Sequence, residues 1–277
     1  MKSLLNRLPR RIRSLIEKFR ETDVISLGAQ LSYYLILSFF PFLIFLFSLI
    51  GYFRLSAESL MDILVRLLPS ATGSSVRDVV QEVTANQSGA LLSFGLVGTI
   101  WTASGAINAM IKGLNKAYGE KETRPLWKVR GISMLSTLVL AAIILVSMAL
   151  LVFGKTIEND LLTRLNAPES WSRVWSILQV CVPVVVLFCV FLLLYRMAPD
   201  RRLSWSEVMP GSVFASVGWI VSSLLFSFYV NNFGSFSRTY GSLGGVIVLL
   251  IWLYISSIIM LTGGILNAEY ANHKRQK

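Results

Sequence analysis

The stretch VISLGAQLSYYLILSFFPFLIFLFSLIGYF, residues 24–53, decides the fold because it contains no Asp, Glu, Lys or Arg. A helix needs about 20 predominantly apolar residues to cross the hydrocarbon core of a bilayer. The stretch therefore predicts a transmembrane helix. Pro41 lies within it and removes one backbone donor, so we expect the helix to kink there.

Five further segments are equally free of charged residues, at positions 83–111, 131–154, 174–195, 208–237 and 239–268. Backbone polar groups in lipid must be satisfied within the protein, so each span is a helix or a strand of a closed barrel. Barrel strands alternate over about 10 residues, whereas these segments are long and continuous. We therefore predict an all-α, polytopic integral membrane protein with transmembrane helices at about residues 31–53, 89–111, 131–154, 174–195, 208–230 and 246–268.

The composition agrees with this class. Hydrophobic residues make up 54% of the 277 residues and charged residues 15%, with a mean hydropathy of +0.63. A water-soluble domain of this length would need more polar surface. Cys181 and Cys189 lie eight residues apart on one predicted helix, too far apart along its axis to form a disulfide.

The basic residues favour alternate connectors. Nineteen Lys and Arg lie in residues 1–23, 112–130, 196–207 and after 268, whereas seven lie in the other connectors. By the positive-inside rule both termini are cytoplasmic. We therefore expect a cytoplasmic amphipathic segment at 1–23, a membrane domain at 24–269 and a cytoplasmic tail at 270–277. Anionic lipid headgroups on the cytoplasmic side account for the net charge of +11, so we expect no nucleic-acid partner.

Two connecting regions have an amphipathic pattern. Apolar residues recur at helical spacing near the N-terminus, at Ile12, Leu15, Ile16 and Phe19, which predicts a helix on the cytoplasmic membrane surface. Residues 54–87 predict amphipathic extracytoplasmic helices between the first and second spans. Ser204 followed by Glu207 predicts a capping box at the start of the fifth span.

Residues 231–245, NNFGSFSRTYGSLGG, combine four glycines with one charged residue, Arg238. Irregular backbone at membrane depth is tolerated where it is buried in protein or lines water, so we expect this connector to border a cavity. Arg238 is a candidate for binding a phosphate or carboxylate, and an exposed interfacial charge is the alternative. Tyr240, Gly241 and Gly244 are candidates for a broken helix start that binds an anion, and close helix packing is the alternative.

Polar residues near or within the spans are further candidates for substrate contact, at Asn108, Asn232, Asn267 and Glu269. Such groups are costly in lipid, so we expect them to face the bundle interior. Interhelical hydrogen bonding is the alternative for the asparagines, and a solvated helix end is the alternative for Glu269. For the mid-span tryptophans, Trp101, Trp219 and Trp252, we expect packing in the core.

One cytoplasmic connector concentrates basic residues, at Lys112, Lys116, Arg124, Lys128 and Arg130. They are candidates for contact with anionic lipid headgroups. The topology signal alone would also place them there, so both interpretations stay open.

Three segments carry a family resemblance. They are LSYYLILSFFPFLIFLFSLIG at 31–51, WTASGAINAMIKGLNKAYG at 101–119 followed by RPLWKVR at 124–130, and NFGSFSRTYGSLGGVIVLLIWLYISSIIMLTGGILNAE at 232–269. Together they resemble the YihY/BrkB family of bacterial inner-membrane proteins, over the whole membrane domain. The resemblance implies six membrane helices and a role described in that family as transport or as ribonuclease activity.

The residues argue against an enzyme. A zinc-type nuclease needs clustered His and Asp ligands, and the chain has one histidine, His273. It also lacks the G-x-x-x-x-G-K-[ST] motif of P-loop ATPases. We therefore expect no catalytic residues, no metal and no cofactor.

These observations favour a non-ATP-driven membrane transporter or lipid-translocating protein of the inner membrane, with a small-molecule or lipid substrate. The alternative is a non-transporting membrane scaffold for envelope assembly, which would recruit partners through residues 54–87 and its basic face. Self-association into a homo-oligomer is compatible with both interpretations.

Overall fold

The computed structural model describes residues 10–52, 89–165, 170–233 and 243–275. These residues form seven helices and no strand: α1 (Arg10–Thr22), α2 (Val24–Tyr52), α3 (Gly89–Tyr118), α4 (Leu126–Leu165), α5 (Ser170–Met197), α6 (Trp205–Phe233) and α7 (Gly244–Arg275). The amphipathic helices predicted within 54–87 lie outside the described residues.

Five helices are long and apolar enough to cross a membrane, namely α2, α3, α4, α6 and α7. In α5 the described apolar stretch is shorter, Cys181–Met197. The chain is a polytopic α-helical membrane protein. The helices extend beyond the predicted spans because an uncharged window marks only the part that suits hydrocarbon. Thus α3 continues through Lys112 and Lys116 to Tyr118.

The largest interface between helices joins α2 and α3, which run antiparallel. Small residues of α3 allow the close approach. A Cβ added to Gly95 would lie 2.6 Å from the backbone nitrogen of Phe45, and one added to Gly98 would lie 3.2 Å from Cβ of Pro41. Helix α2 continues through Pro41, which packs against a glycine rather than a larger side chain.

Helices α6 and α7 also run antiparallel. Trp219 and Trp252 pack edge to face with ring centroids 5.5 Å apart. The indole Nε1–H of Trp252 donates to Ser223 Oγ at 3.2 Å. The expected core packing is observed for these two tryptophans, which are both partly buried against their neighbours.

Successive helices from α2 to α7 alternate in direction, which brings residues 10–24, 112–130, 196–207 and 267–275 together at one end of the bundle. We call this the charged end. All ion pairs found among the described residues lie there: Arg13–Glu17, Lys18–Glu269, Arg124–Glu122, Arg124–Asp200 and Arg201–Glu120. The capping box is also present, since Glu207 Oε2 accepts from the Ser204 backbone N–H at 2.7 Å.

The N-terminal helix α1 is attached to the last turns of α7. Ser14 Oγ donates to Glu269 Oε1 at 2.7 Å, and Lys18 Nζ lies 3.1 Å from Glu269 Oε2. Asp23 separates α1 from α2 with a φ of 57°. The predicted amphipathic helix is therefore present, and it contacts the last turns of α7.

Candidate functional site

A cavity of about 740 Å³ lies at the charged end, between the end of α3 and the start of α4. We call it the basic cavity. Its polar lining consists of Asn108, Lys112, Asn115, Lys116, Glu120, Glu122 and Arg130. Its apolar lining includes Leu126 and Trp127, whose side chains are 86% and 76% exposed.

The turn between α3 and α4 shapes this cavity. Helix α3 ends at Tyr118, and the next residue, Gly119, has a φ of +70° that suits glycine. The Gly119 N–H donates to the Lys116 carbonyl, and the Glu120 N–H donates to the Asn115 carbonyl at 2.8 Å. This is the Schellman pattern of hydrogen bonds. It turns the chain sharply enough for α4 to return beside α3.

Hydrogen bonds fix the turn to the connector after α5. Asn115 Nδ2 donates to Glu122 Oε2 at 2.8 Å, and Asn115 Oδ1 accepts from the Asp200 N–H at 2.7 Å. Arg124 binds both Glu122 oxygens, at 2.6 and 2.8 Å, and donates to the Ala198 carbonyl at 3.0 Å. Arg124 is therefore committed to protein contacts.

The carboxylates of this network are held in their charged form. The hydrogen bond from Arg124 lowers the pKa of Glu122, and the hydrogen bonds from Thr123 lower the pKa of Asp200. Glu120, the other carboxylate of the cavity, lies 3.5 Å from Arg201. Each cavity carboxylate thus has an arginine beside it.

Three of the five predicted lipid-contact residues line the basic cavity. Lys112, Lys116 and Arg130 have no carboxylate partner among the residues that the structure describes. The Arg130 guanidinium lies 4.6 Å from the ring centroid of Trp101. Lys128 is exposed and lies outside the cavity lining. The cavity therefore has an excess of positive charge.

The expected core position of Trp101 is wrong, because its side chain is 62% exposed. Gly95, Gly98 and Gly105 of α3 pack against α2, whereas Trp101 points away from this contact. Phe94 and Val97 share this exposure, at 65% and 64%. In a membrane protein such a face contacts lipid.

A second cavity, of about 280 Å³, lies among α2, α3, α4 and α7. We call it the apolar cavity. Side chains such as Phe39, Ala103, Leu140 and Trp252 line it. The hydroxyls of Ser38, Thr99 and Thr137, which also line it, each donate to a carbonyl of their own helix. Its surface is therefore apolar.

The buried residue Asn267 joins α6 and α7. Its side chain is fully buried, and Oδ1 accepts from the Gly211 N–H at 2.6 Å. Its Nδ2 has no hydrogen-bond partner among the described residues. Nearby, the Tyr195 hydroxyl donates to the Met260 carbonyl at 2.6 Å. Sequence reasoning missed Tyr195 and Gly211, although the glycines near this crossing were a usable signal of close packing.

The other candidates are dispersed. Asn232 is exposed and donates to the Phe228 carbonyl of its own helix at 2.8 Å, so the expected interior position is wrong. Nothing obliges an amide near a helix end to face inward when its own helix supplies an acceptor. Glu269 binds α1, and Gly244 begins α7 in a buried position. Arg238, Tyr240 and Gly241 lie outside the described residues.

Metal-ligating side chains are scattered in the described part of the chain. No group of three or more His, Cys, Asp or Glu there is arranged to hold a metal ion. Cys181 and Cys189 are both exposed and free.

Comparison with known proteins gives consistent matches. A family model described as "Virulence factor BrkB" matches residues 15–277. A ribonuclease-like protein, YfkH of Bacillus subtilis (strain 168), is 40% identical over 266 residues, which cover 96% of each chain. A "UPF0761 membrane protein" of Pseudoalteromonas atlantica is 25% identical over 250 residues, covering 88% of this chain and 80% of the relative. One of Vibrio campbellii is 28% identical over 244 residues, covering 85% and 74%. No solved structure matches.

Proposed function

The chain belongs to the BrkB family of multi-pass bacterial membrane proteins, and from this premise we propose that it is a non-ATP-driven transporter that translocates a lipid. The observation that carries the proposal is the pair of cavities bordered by α3 and α4. One is apolar and lies among membrane helices, and the other is basic and lies at the charged end. A substrate with an apolar part and an anionic part matches both.

A small hydrophilic solute explains this arrangement less well. The three hydroxyls of the apolar cavity donate within their own helices, so a polar solute would lose its hydration without gaining hydroxyl donors there. Burying a polar group without such compensation costs roughly 2–7 kcal/mol. An acyl chain has no such cost. The apolar cavity therefore favours a lipid among the transported substrates considered.

We also propose six membrane crossings with both termini in the cytoplasm. Helix α5 supplies the sixth crossing, since Ala198, the residue after its end, accepts a hydrogen bond from Arg124 in the turn before α4. The attachment of α1 to α7 through Glu269 supports a common side for the two ends of the described chain. The basic residues at this end indicate the cytoplasmic side.

We assign the chain no nuclease activity and no ATP hydrolysis. The ribonuclease-like name belongs to the Bacillus relative. In this chain the single histidine, His273, is exposed near the end of α7, and the sequence has no P-loop motif. Translocation would therefore follow an existing gradient rather than phosphoryl transfer by this chain.

Reconstitution into liposomes with fluorescent phospholipid tests this proposal. Ala103 lines the apolar cavity, so Ala103→Phe should fill it and slow lipid translocation at least about tenfold, which corresponds to about 1.4 kcal/mol in the barrier. Ala142→Phe is the matched control, because Ala142 is exposed on α4 and lies outside the cavity lining. Translocation is read as the loss of fluorescence when a quencher reaches lipids that change leaflet.

The expected result is translocation by the wild type and by Ala142→Phe, with a slow Ala103→Phe variant. Equal rates for protein-containing and protein-free liposomes would contradict the proposal. Equal translocation rates for the two variants would show that the lipid does not pass through the apolar cavity.

A further inference from the structure

We propose that the basic cavity binds the phosphate of an anionic glycerophospholipid from the adjacent leaflet, with the acyl chains lying along the exposed face of α3. This inference names the substrate class of the proposed function. It rests on that function only for the movement of the lipid, because binding is measurable without translocation.

The basic cavity contains cations that its carboxylates do not balance. Glu122 is bound by Arg124, and Glu120 lies beside Arg201, so local arginines balance both carboxylates. Lys112, Lys116 and Arg130 remain as three cations without a carboxylate among the described residues. A phosphodiester accepts charge-assisted hydrogen bonds from ammonium and guanidinium groups. A phosphodiester is therefore an anion that these three cations can bind.

The residues along one side of α3 follow the order of the chemical groups in a phospholipid. Phe94, Val97 and Trp101 are exposed and apolar, Asn108 is a half-exposed amide, and Lys112 and Lys116 are exposed cations. A glycerophospholipid has the same order, from acyl chains through ester groups to phosphate. The amide of Asn108 would face the ester region, where a hydrogen-bond donor is useful.

The length of this face of α3 matches the thickness of one leaflet. Trp101 and Lys112 are eleven positions apart in a continuous helix, which gives a rise of about 16 Å. The hydrocarbon core is about 30 Å thick, so one leaflet contributes about 15 Å. Lys112 at headgroup depth therefore places Trp101 near the membrane midplane. Acyl chains of one leaflet fit this distance.

Exposed apolar side chains beside the cavity distinguish a lipid from a free anion. Leu126 and Trp127 border the cavity with most of their surface exposed. Tryptophan favours the boundary between headgroups and acyl chains, and such exposed apolar surface is costly in water. The cavity thus opens at the depth where phospholipid phosphates lie. Free phosphate would gain nothing from these two side chains.

Arg130 links the cavity to the apolar face. Its guanidinium lies over the Trp101 ring, with a hydrogen bond of 3.4 Å to the Trp101 carbonyl. Stacking of this kind orients the planar fork and leaves other N–H groups for an oxygen ligand. Arg130 therefore lies at the Trp101 end of the cavity, whereas Lys112 and Lys116 lie at the headgroup end.

Native mass spectrometry of the full chain in detergent tests this inference, with phosphatidylglycerol as the probe. Lys112→Gln with Lys116→Gln should weaken retention of the lipid about tenfold. The control pair, Lys121→Gln with Lys128→Gln, removes the same charge from the same connector outside the cavity and should retain the lipid as the wild type does. All four lysines are exposed, so each variant is expected to fold, which thermal unfolding verifies.

Further measurements distinguish binding of a phospholipid from binding of free phosphate. Inorganic phosphate in millimolar excess should leave bound phosphatidylglycerol in place, and its displacement of the lipid would show a headgroup-only site and overturn the inference. Equal loss of lipid in the two double variants would show bulk charge attraction and also overturn it. Arg130→Gln provides a second variant, for which we expect a smaller loss of lipid than for the lysine pair, because Arg130 lies beside Trp101. Lipid binding without translocation would support this inference while contradicting the proposed function.

Discussion

At the scale of single residues, the crossing of α6 and α7 is the most constrained point of the described structure. Pro210 has no backbone N–H, and the next residue, Gly211, donates its N–H to Asn267. A Cβ on Gly211 would overlap the Gly263 carbonyl and lie 2.5 Å from Cγ of Asn267. The contact partner is backbone, which cannot move as a side chain does.

We therefore predict that Gly211→Ala destabilises the protein by about 1–3 kcal/mol, the usual range for overpacking. Thermal unfolding in detergent should show a midpoint several degrees below the wild type. Gly131→Ala is the control, because a Cβ there meets nothing within 4 Å and alanine favours the helix. A Gly211→Ala protein as stable as the control would contradict the close contact.

Individual side-chain positions were predictable only in part. Hydrophobicity predicted Trp101 within a membrane span, and Trp101 lies in an apolar helix long enough to span, but hydrophobicity carries no information about which side of that helix faces lipid. Asn232 shows the same limitation for a polar residue, since its own helix supplies an acceptor. The pairing of Arg124 with Glu122 and Asp200 depends on a turn and on a distant connector, which sequence spacing does not reveal.

At the scale of elements, Glu269 of α7 makes two polar contacts with α1. Glu269 accepts from Ser14 and pairs with Lys18, while Leu15 and Phe19 pack against the core. The ion pair is partly exposed, with side-chain exposures of 19% and 27%, so its contribution is about 1 kcal/mol or less.

We predict that Glu269→Gln makes the backbone amides of α1 exchange with deuterium up to about fivefold faster, which corresponds to about 1 kcal/mol of local opening. Glu17→Gln is the matched control, because Glu17 pairs with Arg13 within α1 and is half exposed. Hydrogen exchange read by mass spectrometry measures both. Similar exchange in the two variants would mean that apolar packing alone holds α1.

The elements themselves were more predictable than their contacts. The length of the uncharged segments identified the apolar helices, because every helix that spans a bilayer needs about 20 predominantly apolar residues. Helix ends were less predictable, since α4 continues to Leu165 beyond its uncharged segment. The capping box at Ser204 was predictable because a cap is a local hydrogen bond. The attachment of α1 to α7 joins residues far apart in sequence and has no local signal.

At the scale of the whole molecule, the alternating helices separate a charged end from an end with few described polar contacts. Ser206, at the start of α6, accepts a hydrogen bond from Lys274 at 3.0 Å and belongs to the charged end. Gly89, the first residue of α3, lies at the opposite end and is exposed. In the proposed topology the two positions lie on opposite sides of the membrane.

We predict that a membrane-impermeant maleimide labels Gly89→Cys but not Ser206→Cys in cells whose outer face alone is accessible. The background carries Cys181→Ala and Cys189→Ala, since these are the only cysteines in the chain. Permeabilised cells provide the control in which both positions react. Labelling of both positions from outside would contradict the antiparallel arrangement, and the reverse pattern would contradict the orientation.

The junctions between α6 and α7 have a mechanical consequence. Asn267 joins the helices near the charged end, and the Trp219–Trp252 pair joins them about two turns further along α6 and about four turns away along α7. Two attachments at different depths prevent sliding and rotation, so we expect these helices to move as one rigid body. A change in the volume of the cavities then requires movement of α4, which borders both cavities and exposes much of its outer side. Displacement of this peripheral helix would widen both compartments at once.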